Sequence, residues 1–126
     1  MSPPRIFDSD CDGDTLVIML LGDVSTLIPE HARVELNQAL EKLRPPEVKH
    51  VVVDFEQIGY FGSLMLGSLH IIWKRVRQSG GRMALCNVSP TGREVLRVAR
   101  FDTLWPICGS REEALATVRQ DRRQAG

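Results

Sequence analysis

Potential metal ligands are densest near the start of the chain, in the segment Asp8-Ser-Asp-Cys-Asp-Gly-Asp14. Its first six positions match the start of an EF-hand loop, which binds Ca²⁺ through alternate carboxylates. The twelfth position is Met19, where that loop requires a bidentate glutamate. A hairpin turn at Asp12-Gly13 is the better interpretation. We therefore predict no metal site and no cofactor.

Catalytic and phosphate-binding motifs give no second candidate. Neither G-x-x-x-x-G-K-[ST] nor G-x-G-x-x-G occurs, and the histidines at 31, 50 and 70 lie on different predicted elements. No nucleophile has an evident base and orienting group beside it in the sequence. The chain is therefore predicted to bind a partner and not to act as an enzyme.

Ser63 lies where a loop passes into a predicted helix. Its hydroxyl can cap the free N–H groups of the first turn, and a phosphate at the same place would meet those groups and the helix dipole. Both interpretations stay open from the residues alone. Ser63, Gly67, His70 and Lys74 follow one another at spacings of 4, 3 and 4, which places them on one helix face. We call these four residues the docking row, because Gly67 costs a helix on the order of 1 kcal/mol against Ala and permits close approach of another backbone.

Strands and helices that position these residues alternate along the chain. Apolar runs predict strands at 5–10, 15–21, 50–54, 82–86 and 104–108, and periodicity with capping signals predicts helices at 29–43, 64–78, from 89 and from 110. This order predicts an α/β fold, with a mixed, mostly parallel central sheet of four to five strands and about four helices packed on it. The candidate core residues of the four helices are Val34, Leu36, Ala39, Leu40, Leu43, Leu69, Ile72, Trp73, Val76, Val95, Leu96, Val98, Ala114, Leu115 and Val118.

Length and charge bound the class of protein. The 126 residues fit a single domain, with a core at about 5–119 and a frayed tail at 120–126. The net charge is zero, which argues against direct nucleic-acid binding. Residues 1–60 hold eleven acids against five bases and residues 61–126 five acids against eleven bases, which is either a polarised surface or a solvated excess. Without a signal peptide or a long apolar run, we expect a cytoplasmic chain with no membrane insertion. Cys86 and Cys108 are expected to be buried, reduced thiols.

A family resemblance rests on the order of three segments. The stretch 51–69, VVVDFEQIGYFGSLMLGSL, is similar to the strand, loop and helix of the STAS domain family, named for sulfate transporters and anti-sigma-factor antagonists. Segments 80–89 and 110–115 resemble the family's next strand and last helix. The resemblance implies a partner, an anti-sigma factor with serine-kinase activity, and implies that Ser63 is the phosphorylated serine. The partner-binding residues are then Asp23, Ser25, Gly59, Tyr60, Phe61, Gly62 and the docking row.

Two departures from the family pattern bear on phosphorylation. The family's acid before the serine is Gly62 here, and an acid near the end of the second strand is replaced by Ser25, with Asp23 nearby. The alternatives are therefore a phosphorylation-independent scaffold, stressosome-like or an accessory subunit of a lipid-transport ATPase, and a nucleotide or small-ligand sensor. A doubly wound enzyme is a third alternative. Whether the domain forms a homodimer is left open.

Overall fold

The computed structural model describes residues 7–21, 29–59 and 61–120, with the backbone alone for 29–31, 63 and 64. The strands are β1 (Phe7–Asp12), β2 (Thr15–Leu20), β3 (His50–Asp54), β4 (Met83–Cys86) and β5 (Ile107–Cys108). The helices are α1 (Pro29–Leu40), α2 (Ser63–Gln78), α3 (Pro90–Val98) and α4 (Arg111–Arg119). The predicted frayed tail, apart from residue 120, lies outside the described residues.

The five strands form one mixed sheet in the order β1-β2-β3-β4-β5. β1 pairs antiparallel with β2, and β2 to β5 run parallel. The predicted α/β class and mixed sheet are confirmed. The hairpin turn between β1 and β2 lies at Gly13-Asp14, one residue later than predicted, and Gly13 takes a φ of 60° there. We call the two ends of the parallel strands the amino end, where they begin, and the carboxyl end, where they finish.

Alternation along each strand divides the core between the two faces of the sheet. On one face Leu16, Val53 and Leu85 pack with apolar residues of α1, α2 and α3. On the other face Val52 and Ala84 pack with α4. Because β2 and β3 are covered on both sides, they read as continuous apolar runs in the sequence.

Two predicted core residues are exposed. Val34 of α1 is 55% exposed and Val98 of α3 is 70% exposed. Each lies two positions from a buried leucine, Leu36 or Leu96, and two positions turn a helix by about 200°. Both side chains therefore point away from the sheet, and their assignment to the core was wrong.

Two element boundaries also differ from prediction. α1 ends at Leu40 and not at Leu43, because the chain tightens into i→i+3 hydrogen bonds from Lys42 to Ala39 and from Leu43 to Leu40. β5 contains only Ile107 and Cys108, so Trp105 precedes the strand and is buried. Pro106 has no N–H to donate, and its carbonyl accepts from Leu85.

Candidate protein-interaction site

The predicted interaction residues gather at the carboxyl end of the sheet. Gly59, Phe61 and Gly62 lie in the connection from β3 to α2, and the docking row begins at the first residue of α2. The predicted residues Tyr60, Asp23 and Ser25 lie outside the described residues. The side chain of Ser63 also lies outside them, and only its backbone position is known.

Asp54 anchors the start of the β3–α2 connection. Its carboxylate is 3% exposed at the end of β3. Oδ1 accepts from the Glu56 backbone N–H at 2.9 Å and from Asn87 Nδ2 at 3.0 Å, while Oδ2 accepts from Arg111 Nε at 3.0 Å and Nη2 at 2.9 Å. Because a buried carboxylate needs such partners, this network fixes the connection to β4 and α4. We call Asp54, Asn87 and Arg111 the Asp54 network.

Two further contacts hold the middle of the connection. Phe61 is buried, and its ring centroid lies 5.1 Å from that of Phe55. Ser89 donates from its hydroxyl to the Gly59 carbonyl at 2.5 Å and accepts from the Gly92 N–H at 3.0 Å. Ser89 therefore caps α3 and ties the connection to it. The buried Phe61 ring anchors this segment in the free chain, and its role as a partner contact stays a prediction.

The start of α2 lacks a side-chain cap. Gly62, and not Ser63, occupies the N-cap position, and none of the described side chains makes a capping hydrogen bond there. Ser63 is the first residue inside the helix, which corrects the interpretation of Ser63 as the cap. The first turn also contains no acidic residue. Its free N–H groups and the positive end of the helix dipole are therefore without a fixed anionic partner from that turn.

Gly67, His70 and Lys74 are exposed on α2, as the docking row predicts. The glycines of this region have unused space around them. Within the described part of the chain, no heavy atom lies within 4 Å of a Cβ built on Gly59, Gly62 or Gly67, and none of the three has a left-handed φ. Packing of the described residues therefore does not require glycine at any of these positions. We call them the three open glycines.

The amino end of the sheet carries a second set of ionic contacts. Arg119, the last residue of α4, donates from Nε to Asp14 Oδ1 at 2.9 Å and from Nη2 to Asp12 Oδ1 at 3.0 Å and to the Asp12 carbonyl. His50 Nε2 lies 3.7 Å from Asp14 Oδ2, and His50 Nδ1 accepts from the Arg82 N–H. Burial would raise the pKa of Asp14, but the hydrogen bonds from Thr15 and Arg119 lower it overall.

Ion pairs account for part of the charge asymmetry between the two halves of the sequence. Arg111 with Asp54, and Arg119 with Asp12 and Asp14, each join acids of the first half to a base of the second. Part of the charge difference between the two halves is therefore used in ion pairs within the domain. No group of His, Cys, Asp and Glu side chains able to hold a metal occurs among the described residues.

The buried thiols behave as predicted. Cys86 and Cys108 are buried free thiols, and Cys11 is an exposed one. Burial, with a further contribution from the Asp54 charge, raises the pKa of Cys86 to about 12. A thiol that stays protonated in this way is a poor nucleophile, so Cys86 acts as a core residue.

No local sequence pattern predicts the Asp54 network. Asp54 and Arg111 are separated by 57 positions, and no local pattern joins them. A signal was available in the topology, since Asp54 and Asn87 both follow parallel strands whose carboxyl ends are adjacent. A polar residue at each of two such ends predicts a contact.

These features define a small α/β domain that presents an uncapped helix start and three open glycines at the carboxyl end of its sheet. The model of the STAS domain family matches residues 7–114. The chain therefore belongs to the STAS domain family, and the resemblance described from the sequence is confirmed. No helix within the described residues is long and apolar enough to cross a membrane.

Relatives and solved structures agree with this family. The chain is 31% identical over 101 residues to BtrV of Bordetella bronchiseptica, which is named as an anti-sigma factor antagonist, and the match covers 80% of this chain and 84% of that protein. A STAS domain protein of Planctomyces limnophilus matches with a TM-score of 0.75 and 27% identity, over 90% of this chain and 98% of that one.

The anti-sigma factor antagonist SpoIIAA has been solved in two covalent states. Its unphosphorylated form matches with a TM-score of 0.72 and 25% identity, over 90% of this chain and 96% of that one. The phosphorylated form, from Bacillus, matches with a TM-score of 0.63 and 26% identity, over 90% of this chain and 99% of that one. The chain thus has an anti-sigma factor antagonist-like STAS fold.

Proposed function

We propose that this chain is a non-enzymatic anti-sigma factor antagonist that binds an anti-sigma factor with serine-kinase activity. Binding uses a docking surface made of Gly59, Gly62 and the docking row, with Tyr60, Asp23 and Ser25 as further predicted contacts. The names of the relatives BtrV and SpoIIAA support the class of partner. The observation that carries the proposal is the clustering of the three open glycines at one helix start.

Glycine inside a helix needs a reason, because it lowers helix stability by on the order of 1 kcal/mol against Ala. Gly67 has neither an intramolecular neighbour that excludes a Cβ nor a left-handed φ among the described contacts. By contrast, a Cβ on Gly81 would lie 1.7 Å from the Lys49 carbonyl oxygen, so the fold itself requires that glycine. A partner backbone packed against α2 gives Gly67 the reason that the isolated chain lacks.

Phosphorylation of Ser63 is the second part of the proposal. The first turn of α2 has free N–H groups and no acidic side chain, which favours a phosphate there. Within a closed interface, the same dianion loses hydration and meets the partner's surface, so it releases the partner. The existence of SpoIIAA in both covalent states supports this switch by analogy.

The docking surface is tested by a matched pair of substitutions. Gly67→Arg places a long cation on the docking row, and Ala116→Arg places the same side chain on an exposed position of α4, on the other face of the sheet. We expect Gly67→Arg to abolish binding to the cognate anti-sigma factor kinase of the native host in calorimetric titration, and Ala116→Arg to leave it unchanged. Equal affinity of both folded variants for the kinase would overturn the docking surface.

The switch is tested on the same purified pair of proteins. With kinase and ATP, intact mass should show one added phosphoryl group on the parent chain and none on Ser63→Ala, which should still bind. Ser63→Glu should bind much more weakly than Ser63→Ala. An unmodified parent that binds stably would leave the docking surface in place and refute the phosphorylation step, favouring the phosphorylation-independent scaffold.

A further inference from the structure

A cavity of about 260 Å³ lies at the amino end of the sheet. One of its lining residues, Trp73, also meets His70 of the docking row, with ring centroids 6.0 Å apart. The cavity lies between the starts of β4 and β5 and the final turns of α2 and α4. Its volume is just below the range of about 300–1,000 Å³ for drug-sized ligands, so it suits a molecule of one or two rings. The apolar side chains that line it are Trp73, Met83, Leu104, Trp105, Pro106 and Val118.

Aromatic rings form one wall of this cavity. The Trp73 and Trp105 centroids lie 5.9 Å apart in an edge-to-face arrangement, and Phe101 meets Trp105 at 5.2 Å from behind. Arg77 lies over the Trp73 ring, 5.0 Å from its centroid. These contacts hold both indoles in place, so a planar apolar ligand would meet a preformed surface.

Two of the lining residues carry a hydrogen-bond donor that has no acceptor among the described residues. Arg82 Nε and Trp105 Nε1 are buried and unpaired, and Trp105 is only 3% exposed. An unpaired buried donor costs about 1–3 kcal/mol, and neither guanidinium nor indole can accept a hydrogen bond. The Arg82 side chain has one described protein contact, from Nη1 to the Thr117 carbonyl at 3.3 Å.

The charge of the residues that line the cavity indicates which polar group a ligand would carry. Arg82 is the only charged residue among the described residues that line the cavity. Among the described lining residues, its guanidinium therefore has no carboxylate facing it, and a ligand can supply the missing acceptors. A carboxylate supplies two oxygens and a negative charge, the geometry that arginine pairs with best.

We propose that this cavity binds a small aromatic carboxylate, with the carboxylate on Arg82 and the ring against Trp105. The two nitrogens are shielded from solvent in the free chain, so the ligand has to displace the side chains that cover them. The two nitrogens that carry the proposal belong to Arg82 and Trp105, which are not part of the docking surface, so the proposal does not depend on that surface binding a kinase.

The chain allows a direct readout, because it contains only two tryptophans. A ¹⁵N-labelled sample gives two indole N–H resonances, which Trp105→Phe assigns. We expect 1-naphthoate to shift the Trp105 indole resonance saturably, because the ligand ring packs against that indole. The neutral analogue 1-naphthalenemethanol should bind with an affinity at least roughly tenfold lower, because it lacks the charge that pairs with Arg82.

A matched pair of arginine substitutions separates recognition from general loss of charge. Arg82→Met should weaken 1-naphthoate roughly tenfold or more. Arg75→Met removes another partly buried arginine, which donates to the Leu40 carbonyl and does not line the cavity, and should leave affinity unchanged. The proposal would be overturned if the Trp105 resonance did not move up to about 5 mM 1-naphthoate, since this concentration exceeds the Kd of about 1 mM that marks weak binding. Equal binding of acid and alcohol, or equal loss in the two variants, would overturn it as well.

Discussion

The two ends of the parallel sheet differ in what the fold leaves unused. At the carboxyl end the Asp54 network pairs a buried carboxylate with four donors, while the three open glycines have space that nothing described fills. At the amino end Gly81 is confined by the Lys49 backbone, while Arg82 Nε and Trp105 Nε1 have no acceptor in the described part of the chain.

This contrast separates residues that the fold requires from residues that it does not explain. Gly81 and Asp54 belong to the first kind, because a Cβ at Gly81 would clash with the Lys49 backbone and loss of the Asp54 carboxylate would leave buried donors unpaired. Gly67 and Trp105 Nε1 belong to the second kind. Each lowers the stability of the fold, and no described contact within the chain offsets that loss. Protein docking at one end and a small ligand at the other would account for them. Gly92 shows that the carboxyl end also has confined glycines, since a Cβ there would lie 2.9 Å from Phe61 and Val88.

The largest effect is expected from Asp54→Ala at the carboxyl end. The change leaves Arg111, Asn87 and the Glu56 N–H without their common acceptor, and should lower the free energy of unfolding by about 3 kcal/mol. The estimate lies at the low end for buried pairs because the Arg111 side chain is 42% exposed and can be hydrated. Urea unfolding followed by tryptophan fluorescence measures the change.

Glu94→Ala is the control for this prediction. It removes the exposed pair of Glu94 and Arg97 on α3, and exposed pairs contribute little. If Asp54→Ala were as harmless as Glu94→Ala, the Asp54 network would not be what fixes the β3–α2 connection.

At the amino end, Gly81→Ala should destabilise the domain by about 2–3 kcal/mol. A Cβ at this position would lie 1.7 Å from the Lys49 carbonyl oxygen and 3.1 Å from the His50 nitrogen, so the backbone between β3 and β4 must separate. Gly109→Ala is the matched control, because its Cβ would meet only Glu113 Oε1 at 3.6 Å. Similar melting temperatures for the two variants would contradict the confinement of Gly81.

Gly67→Ala should have the opposite sign and stabilise the free domain by about 1 kcal/mol. The added Cβ gains helix propensity and meets no described atom within 4 Å. Thermal unfolding of the unliganded chain gives the measurement. A loss of stability would mean that the space beside Gly67 is already occupied, which would remove the main support for the docking surface.

The sequence predicted the elements well where periodicity was unambiguous. β3 was predicted at its exact bounds, and α2 within one residue, because each carries a single dominant pattern. The prediction that Val34 and Val98 are buried was wrong because it rested on their apolar character alone. It did not take into account the rotation about the helix axis that separates them from Leu36 and Leu96.

The sites were harder to predict than the elements. Helical spacing predicted that the docking row shares one helix face, and the exposure of Gly67, His70 and Lys74 agrees with a solvent-facing row. The Asp54 network and the amino-end cavity could not be predicted, because they join residues such as Asp54 and Arg111 or Trp73 and Trp105 that only the tertiary fold brings together. Trp105 was predicted to lie in the last strand, so its position beside the cavity was not predicted.

The smallest effect concerns the pH dependence of the amino end. Burial lowers the pKa of His50 below its ordinary value of 6.5, although the Asp14 charge opposes the shift. Between the folded pKa and 6.5 the unfolded chain therefore binds more protons, so stability should fall as pH drops below about 6.5 and level off beneath the folded pKa. His50→Gln should flatten this dependence in urea unfolding between about pH 5 and 7.5.

Asp14→Asn tests the cause of the shift, since it removes the charge that favours the imidazolium while leaving burial of His50 unchanged. The pKa of His50 should then fall further, and the loss of stability below pH 6.5 should become steeper than in the parent chain. The lowered pKa of Asp14 places its own titration below 3.8, outside the measured window. If Asp14→Asn instead flattened the pH dependence of the free energy of unfolding, attraction to Asp14 would outweigh the effect of burial on the His50 pKa. His50 would then gain a proton on folding.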